Sequence, residues 1–338
     1  LAAAFSEQEI ILSKKSTIPM PFQYYGELMA ILTTLSWTIC IFPFTEASRR
    51  LGPNTVNHYR LLLAVILLSL ILITFKEFNF IQLFTEPHLD NWIWLGLSGI
   101  IGLTLGDYFG FTMYAIVGTR LGSLFASLSP GAALLFGFIL LGETINLIGI
   151  IGIIITSIGV AWISLSKAEH AKIPDHGHGK ISKGILFGIL SAICQGVGLV
   201  LAKKGFYNPN IHEEINPIHA TWIRMITATL TIFAVSFVSG KIKTISLPLL
   251  NNQNNGIKYM IAGTLFGPVM GVSMSLYTIS VLNVSMAQTI FSLVPVFVLP
   301  IAYWIYKEKI TIKSLLGALI ATLGVIILVW REEINSFF

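Results

Sequence analysis

Three formal charges stand deep inside apolar stretches of this 338-residue chain: Arg60, Asp107 and Arg224. Asp107 is the most isolated, with no other charge for twelve positions on either side, in the segment GLTLGDYFGFTMYAIVGTRLGSLFASLSP. A carboxylate in such surroundings has two uses. It pairs with a buried cation, or it receives a proton, an ion or a polar substrate. Arg60 is the cation in reach. At 1.5 Å per helical residue it lies roughly 7 Å inside one membrane face, and Asp107 roughly 9 Å inside the same face. Arg224 sits toward the opposite face without an acidic counterpart, and its stem is long enough to snorkel to the headgroups.

Other residue types in these stretches suit recognition. Trp37 and Gln195 occupy corresponding positions 158 residues apart, and an aromatic facing an amide would recognise an amino acid or a flat heterocycle. Tyr108 and Tyr277 are further candidates, against the ordinary use of membrane aromatics in packing and interface anchoring. Thr104, Asp107, Gly110 and Tyr114 share one helical side, which marks either a cavity wall or a close helix contact. Ser127 and Ser292 each lie one turn before a proline, Pro130 and Pro295. A proline inside a helix frees backbone carbonyls, so these positions are expected to kink or gate and to offer polar atoms to a ligand. Glu143 and Glu308 precede the helical runs at 146–166 and 312–330, where a carboxylate caps free N–H groups and offsets the helix dipole.

Catalytic and cofactor chemistry finds little support. The run Asp175, His176 and His178, with His170 nearby, falls in a Lys-rich stretch without spaced partner ligands, so it reads as a solvated loop and not a metal site. Cys40 and Cys194 lie in apolar runs and read as inert packing thiols. There is no P-loop, no HExxH and no nucleophile–base motif, so no catalytic residue, cofactor or ATP-driven step is expected.

The elements that hold these residues follow from composition. The chain is 54% hydrophobic and 11% charged, with mean hydropathy +0.79. Soluble chains carry about 25% charged residues. So few charges cannot cover a surface in water, and most of this surface faces lipid. The net charge of +5 is spread over short loops with no aromatic-interleaved basic patch, which excludes nucleic-acid binding. Residues 1–24 are polar and mixed and do not resemble a signal peptide, and the opening Leu1 fits a processed or truncated start. Ten apolar runs follow, at about 26–45, 56–75, 92–113, 121–141, 146–166, 184–202, 218–239, 259–280, 285–306 and 312–330, each near the length of about 20 residues that spans a bilayer. None alternates as a barrel strand would.

The polar loop 167–183 divides these runs into five and five. At an offset of 165, residues 102–160 fall on 267–325, and all four glycines of the second segment meet glycines of the first: Gly102/Gly267, Gly106/Gly271, Gly152/Gly317 and Gly159/Gly324. Chance would produce this about once in a thousand trials. Glu143/Glu308, Ser127/Ser292 and Pro130/Pro295 coincide as well, and a shifted offset aligns Arg60 with Arg224. With an odd number of helices in each repeat, the second must enter the membrane inverted. That is the architecture of secondary transporters, with a midplane site between the halves. The expected class is therefore all-α integral membrane, ten helices as two inverted five-helix repeats around a central cavity. The expected domains are 25–166 and 184–330, flanked by tails 1–24 and 331–338.

Arg60 near the start of the second run, the glycine-rich third run, the link AIVGTRLGS into SLSP…LLGE, and the glycine-spaced GIIGIIITSIG resemble the EamA-type domain of the drug/metabolite transporter superfamily. SAICQGVGLVLAKKG is similar to that domain's first helix, and LVPVFVLPIAYWIYKEKIT to its fourth. The resemblance covers residues 25–330. It implies a carrier that moves, and often exports, small metabolites such as amino acids, with a cavity lined by helices 1, 3, 4, 6, 8 and 9. The expected partners are a small-molecule substrate and the lipid bilayer, with possible proton or ion coupling and a monomer sufficient. The expected location is a bacterial inner membrane. The first-helix glutamate by which small four-helix relatives couple protons has no equivalent, since Glu27 lies at the very end of the first run. A lipid or lipid-linked substrate translocase on the same fold is the alternative, and an intramembrane enzyme a more distant one.

Orientation divides the two lines of reasoning. Outside the deep spans, six Lys and Arg (Lys14, Lys15, Lys76, Lys203, Lys204, Arg331) fall on the side of the N-terminus and thirteen on the other. The positive-inside rule then places both termini outside, whereas the resemblance implies cytoplasmic termini. The charge bias predicts that alkaline phosphatase fused at Phe338 is active and a fluorescent protein fused there is dark. The opposite pair of results reverses the orientation.

Overall fold

The computed structural model describes residues 24–75, 78–110, 112, 113, 116, 125, 127–166, 181–208, 213–251, 255–306 and 311–336. In lipid every backbone group must find its partner within the protein, and a helix does this within one segment. The long helices are α1 (Tyr25–Leu51), α2 (Pro53–Phe75), α3 (Leu89–Gly110), α4 (Ser129–Leu141), α5 (Leu147–Ser166), α6 (Ile181–Lys204), α7 (Pro217–Val238), α8 (Gly256–Val281), α9 (Val284–Phe291 and Val294–Tyr306) and α10 (Ile312–Val329). Short helices Gln82–Thr85, Ile242–Leu250 and Arg331–Asn335 lie between or after them. A two-residue antiparallel ladder pairs Tyr207 with Glu214 and Asn208 with Glu213.

Among the described residues, nine helices are long and apolar enough to cross a membrane, not the ten expected. The shortfall is α4, with 13 residues. The run expected at 121–141 is interrupted by a turn at Ser127–Leu128, where the Leu128 N–H bonds back to the Phe125 carbonyl at 3.0 Å. Pro130 follows in the first turn of α4, where its missing N–H removes no helical bond. The same device recurs in α9: a turn at Ser292–Leu293, then Pro295 as the second residue of the second segment. Both prolines therefore start helical segments after a break and do not kink a continuous helix.

Two further irregularities are placed alike. A π turn occupies Gly99–Leu105 in α3 and another Leu265–Val272 in α8. The offset of 165 carries the first onto 264–270, so the two overlap. A π turn inserts one residue and rotates every later side chain around the helix.

Packing is similarly paired. α1 lies on α8 as α6 lies on α3; α4 lies on α6 as α9 lies on α1; α2 pairs with α7, and α5 with α10. The α5–α10 crossing is the closest. A Cβ at Gly152 would come within 2.8 Å of the Gly324 carbonyl, and one at Gly317 within 2.8 Å of Ile163. A Cβ at Gly324 would collide with the Thr156 backbone nitrogen, and one at Gly159 with that of Ala321. Only a missing side chain lets the backbones approach so closely. The hydroxyls of Thr34, Thr156 and Thr229 turn back onto carbonyls one turn earlier at 2.7–2.8 Å, so they are satisfied without water. At the face carrying the first residue of α1, the Tyr24 hydroxyl donates to Glu333 Oε1 at 2.7 Å. That bond holds the Glu333 carboxyl below its ordinary range and pushes the Tyr24 phenol up.

The glycine seam generates a stability prediction. Gly324→Ala should cost about 1–3 kcal/mol by overpacking and lower the melting temperature of the purified protein. Gly131→Ala, on a helix with open space around it, should be neutral or slightly stabilising. Equal melting temperatures for the two variants would remove the seam from the account.

Candidate functional site

Between the two halves lies a cavity of about 340 Å³. α1 contributes Trp37; α3 contributes Gly106, Asp107 and Gly110; Ser127 and Ser129 come from the break at α4; α5 adds Val160. Gly188, Ser191, Ala192 and Gln195 come from α6, and Gln288, Phe291, Ser292, Val294 and Pro295 from the break in α9. Met113 completes the wall. The broken helices bring polar atoms to the cavity: the Ser292 hydroxyl donates to the Thr289 carbonyl at 2.6 Å beside the interruption.

Asp107 and Arg60 meet as an ion pair, Arg60 Nη2 donating to Asp107 Oδ2, with both side chains more than four-fifths covered. Arg60 Nε donates to Asn57 Oδ1 at 3.0 Å, and the guanidinium stands 5.8 Å from the Phe44 ring. Asp107 lines the cavity with Arg60 behind it. Gln195 Nε2 donates to Asp107 Oδ1 at 3.3 Å and to the Gly102 carbonyl at 3.4 Å. Trp37, also in the lining, packs edge-on against Phe291, ring centroids 5.0 Å apart. A Cβ on Gly271 would strike the Trp37 indole, so this glycine is what seats the ring.

Trp37, Asp107, Gln195, Ser127, Ser292 and Pro295 therefore share the cavity, and Arg60 reaches it through its carboxylate partner. Tyr108 does not: it is 57% exposed, beside Phe109 and Phe187. Tyr277 packs edge-on against Tyr25 at 5.9 Å and also lies off the lining. Pro130 is buried behind the wall. Thr104 leaves the expected stripe, its hydroxyl donating to the Ala228 carbonyl of α7 at 3.3 Å. The π turn between Gly99 and Leu105 breaks the 3.6-residue register on which that stripe depended. Tyr114, Glu308 and the histidine-bearing run 170–178 fall outside the described residues. Among the described residues no group of His, Cys, Asp or Glu could hold a metal ion.

Arg224 corrects a sequence expectation. It does not snorkel: it is 3% exposed, on α7 against the glycine face of α3. A Cβ at Gly102 would come within 3.4 Å of its Nη2. Glu143 caps a helix, though not α5. Its Oε2 accepts the Val284 N–H at the start of α9 at 2.8 Å, and its Oε1 pairs with Lys203 Nζ at 2.6 Å. Asn146 caps α5 instead, accepting the Gly149 N–H at 2.9 Å. Lys203 also donates to the Leu282 carbonyl at 2.6 Å, so one cluster ties α4, α6 and the α8–α9 link at a single end.

Sequence reasoning missed Ser129, Ser191 and Gln288. Gln288 Nε2 donates to Ser129 Oγ at 2.9 Å, and Ser191 donates to the Gly106 carbonyl at 2.9 Å. Ser191 and Gln288 lie one helical turn before Gln195 and Ser292, and that spacing could have found them.

Comparison with known proteins bears on what this cavity serves. A crystal structure superposes with a TM-score of 0.66 over 90% of this chain and 96% of that one, at 14% identity, which establishes the shared fold. An uncharacterized transporter of Synechocystis sp. is 24% identical over 261 residues, 74% of this chain and 76% of that protein. An uncharacterized transporter of Clostridium kluyveri is 24% identical over 152 residues, 44% of this chain and 45% of that protein. A family model described as the EamA-like transporter family matches residues 24–165 and again 182–330. A lipid-embedded helical bundle with a cavity between two halves that each match this model leaves one assignment: the chain belongs to the EamA-like transporter family, and it is a membrane transporter and not an enzyme.

Proposed function

We propose that the protein is a secondary carrier that exports a small metabolite, such as an amino acid or a related compound, by alternating access between two inverted five-helix repeats. One observation carries this reading: the cavity, of small-molecule size, draws its lining from both halves, with Asp107 from one and Gln195 and Ser292 from the other. The repeats are residues 25–166 and 184–330, with α6 beginning just ahead of the second, at Ile181. Three paired features support ten helices in an inverted arrangement: the breaks before Pro130 and Pro295, the overlapping π turns of α3 and α8, and the glycines shared between α5 and α10. In this reading α4 completes the tenth span. Rocking of one half against the other then exposes the cavity to each side in turn.

Asp107 is the coupling and binding residue of this scheme, poised by Arg60 and Gln195. Trp37 offers a flat face, and Ser127 and Ser292 offer hydroxyls. A proton or ion gradient drives the cycle, and one chain suffices because it contains both repeats. The bacterial sources of the two relatives support a bacterial inner membrane.

Reconstituted proteoliposomes test the scheme with a panel of labelled amino acids in counterflow. Asp107→Asn should lose at least about tenfold in flux and about 3 kcal/mol in stability, because it leaves the Arg60 guanidinium uncompensated. The double variant Arg60→Met with Asp107→Leu should recover most of the stability without the flux. Recovered flux would reduce the pair to scaffold. Lipid movement between leaflets without solute flux, or product formation without net flux, would overturn the carrier reading.

A further inference from the structure

The charges beside the cavity do not balance. Among the described residues, two guanidinium groups, Arg60 and Arg224, stand beside one carboxylate of the cavity wall, Asp107, and it is already bound to Arg60. Arg224 is 3% exposed, and its Nε and Nη1 donate to nothing among the described residues. A guanidinium does not shed its proton in proteins, so it cannot escape burial by becoming neutral. An ionised group buried in this way requires a partner.

The repeat shows where a partner is missing. Arg60 and Arg224 correspond, whereas the position corresponding to Asp107 is Val272. Ser273, next in sequence, has a buried hydroxyl that is also without a hydrogen-bond partner among the described residues. The guanidinium is close to the cavity. It lies against Gly102, and Gly106, one turn further along α3, lines the cavity. Gln195 stands beside Gly106, and its amide holds the Gly102 carbonyl at 3.4 Å and Asp107 at 3.3 Å. Both contacts are long, so the amide can turn aside with little loss.

We propose that Arg224 is an anion-binding residue and that the carried metabolite bears a small anionic group, a carboxylate or a phosphate, that docks on it. This rests on the carrier reading above. The substrate supplies the second carboxylate that the chain lacks at Val272. Arg224 is then matched when loaded and unmatched when empty. A substrate whose charge is removed loses its anchor, while the aromatic and hydroxyl wall of the cavity holds the rest of the molecule.

Thermal unfolding of the detergent-purified protein at neutral pH tests this without requiring transport. Titrated benzoate should raise the melting temperature of the wild type, and benzamide and benzylamine should not. Arg224→Gln should abolish the benzoate shift, and Arg224→Lys, which keeps the charge but not the fork, should weaken benzoate binding about tenfold. If Arg224→Gln does not purify as a single species, the lysine variant decides alone, and unchanged binding there overturns the inference. Stabilisation by inorganic phosphate in place of benzoate, lost in Arg224→Gln, supports the inference with a phosphate group as the anion. Stabilisation by neither anion, by benzamide equally, or persisting in Arg224→Gln overturns it. Amino-acid flux with no Arg224-dependent anion effect leaves the carrier reading standing and removes this one. Arg224-dependent binding without any flux does the reverse.

Discussion

Hydrocarbon offers no hydrogen-bond partner and no solvation for charge, and the architecture of this protein follows from that constraint. Backbone groups are closed within helices, and threonine hydroxyls along them fold back onto their own carbonyls. Charges inside the spans find partners or stand beside a cavity. Arg60 and Asp107 neutralise one another at the cavity wall, and Glu143 and Lys203 do so at one end of the bundle, where they also take up the Val284 N–H and the Leu282 carbonyl.

A bundle that encloses a cavity lined in part by polar side chains does not consist of straight, evenly packed helices. The continuous helices α5 and α10 press together through glycine, one against the other, and make a rigid seam. α4 and α9 are interrupted instead, each at a serine–leucine turn followed by proline, and the interruptions meet the cavity. α3 and α8 carry π turns at overlapping repeat positions and turn their later residues out of register. The α5–α10 seam is regular and closely packed, whereas the breaks of α4 and α9 bring serine hydroxyls to the cavity beside the continuous α1 and α6.

Much of the site is legible in the sequence. The Arg60–Asp107 pair follows from depth alone, because both residues lie at similar distances from one membrane face and nothing else of opposite charge is near. Trp37, Gln195, Ser127 and Ser292 follow from internal repetition. Tyr108 and Tyr277 depart from expectation because an aromatic side chain can face lipid or cavity from the same stretch of sequence, and only the rotation of its helix decides. Arg224 departs from expectation for a related reason. A long cationic side chain near a helix end ordinarily reaches for the headgroups, and here the glycines of α3 open a berth for it in the interior. Gln288 and Ser129 are invisible individually, since their importance lies in meeting across 159 residues of chain.

By itself the sequence determined the solvent, the helical class, the two related halves and the short set of charges that must be explained. Hydropathy, helix length and periodicity are local properties, and lipid enforces them residue by residue. Only the tertiary structure decided which faces turn inward, that proline opens a second segment and does not bend a first, that Glu143 caps α9 and not α5, and that Arg224 is buried with its Nε and Nη1 unbonded among the described residues. Those outcomes depend on helix rotation and on contacts between distant segments, which one-residue shifts at a π turn or a missing Cβ at a glycine are enough to change.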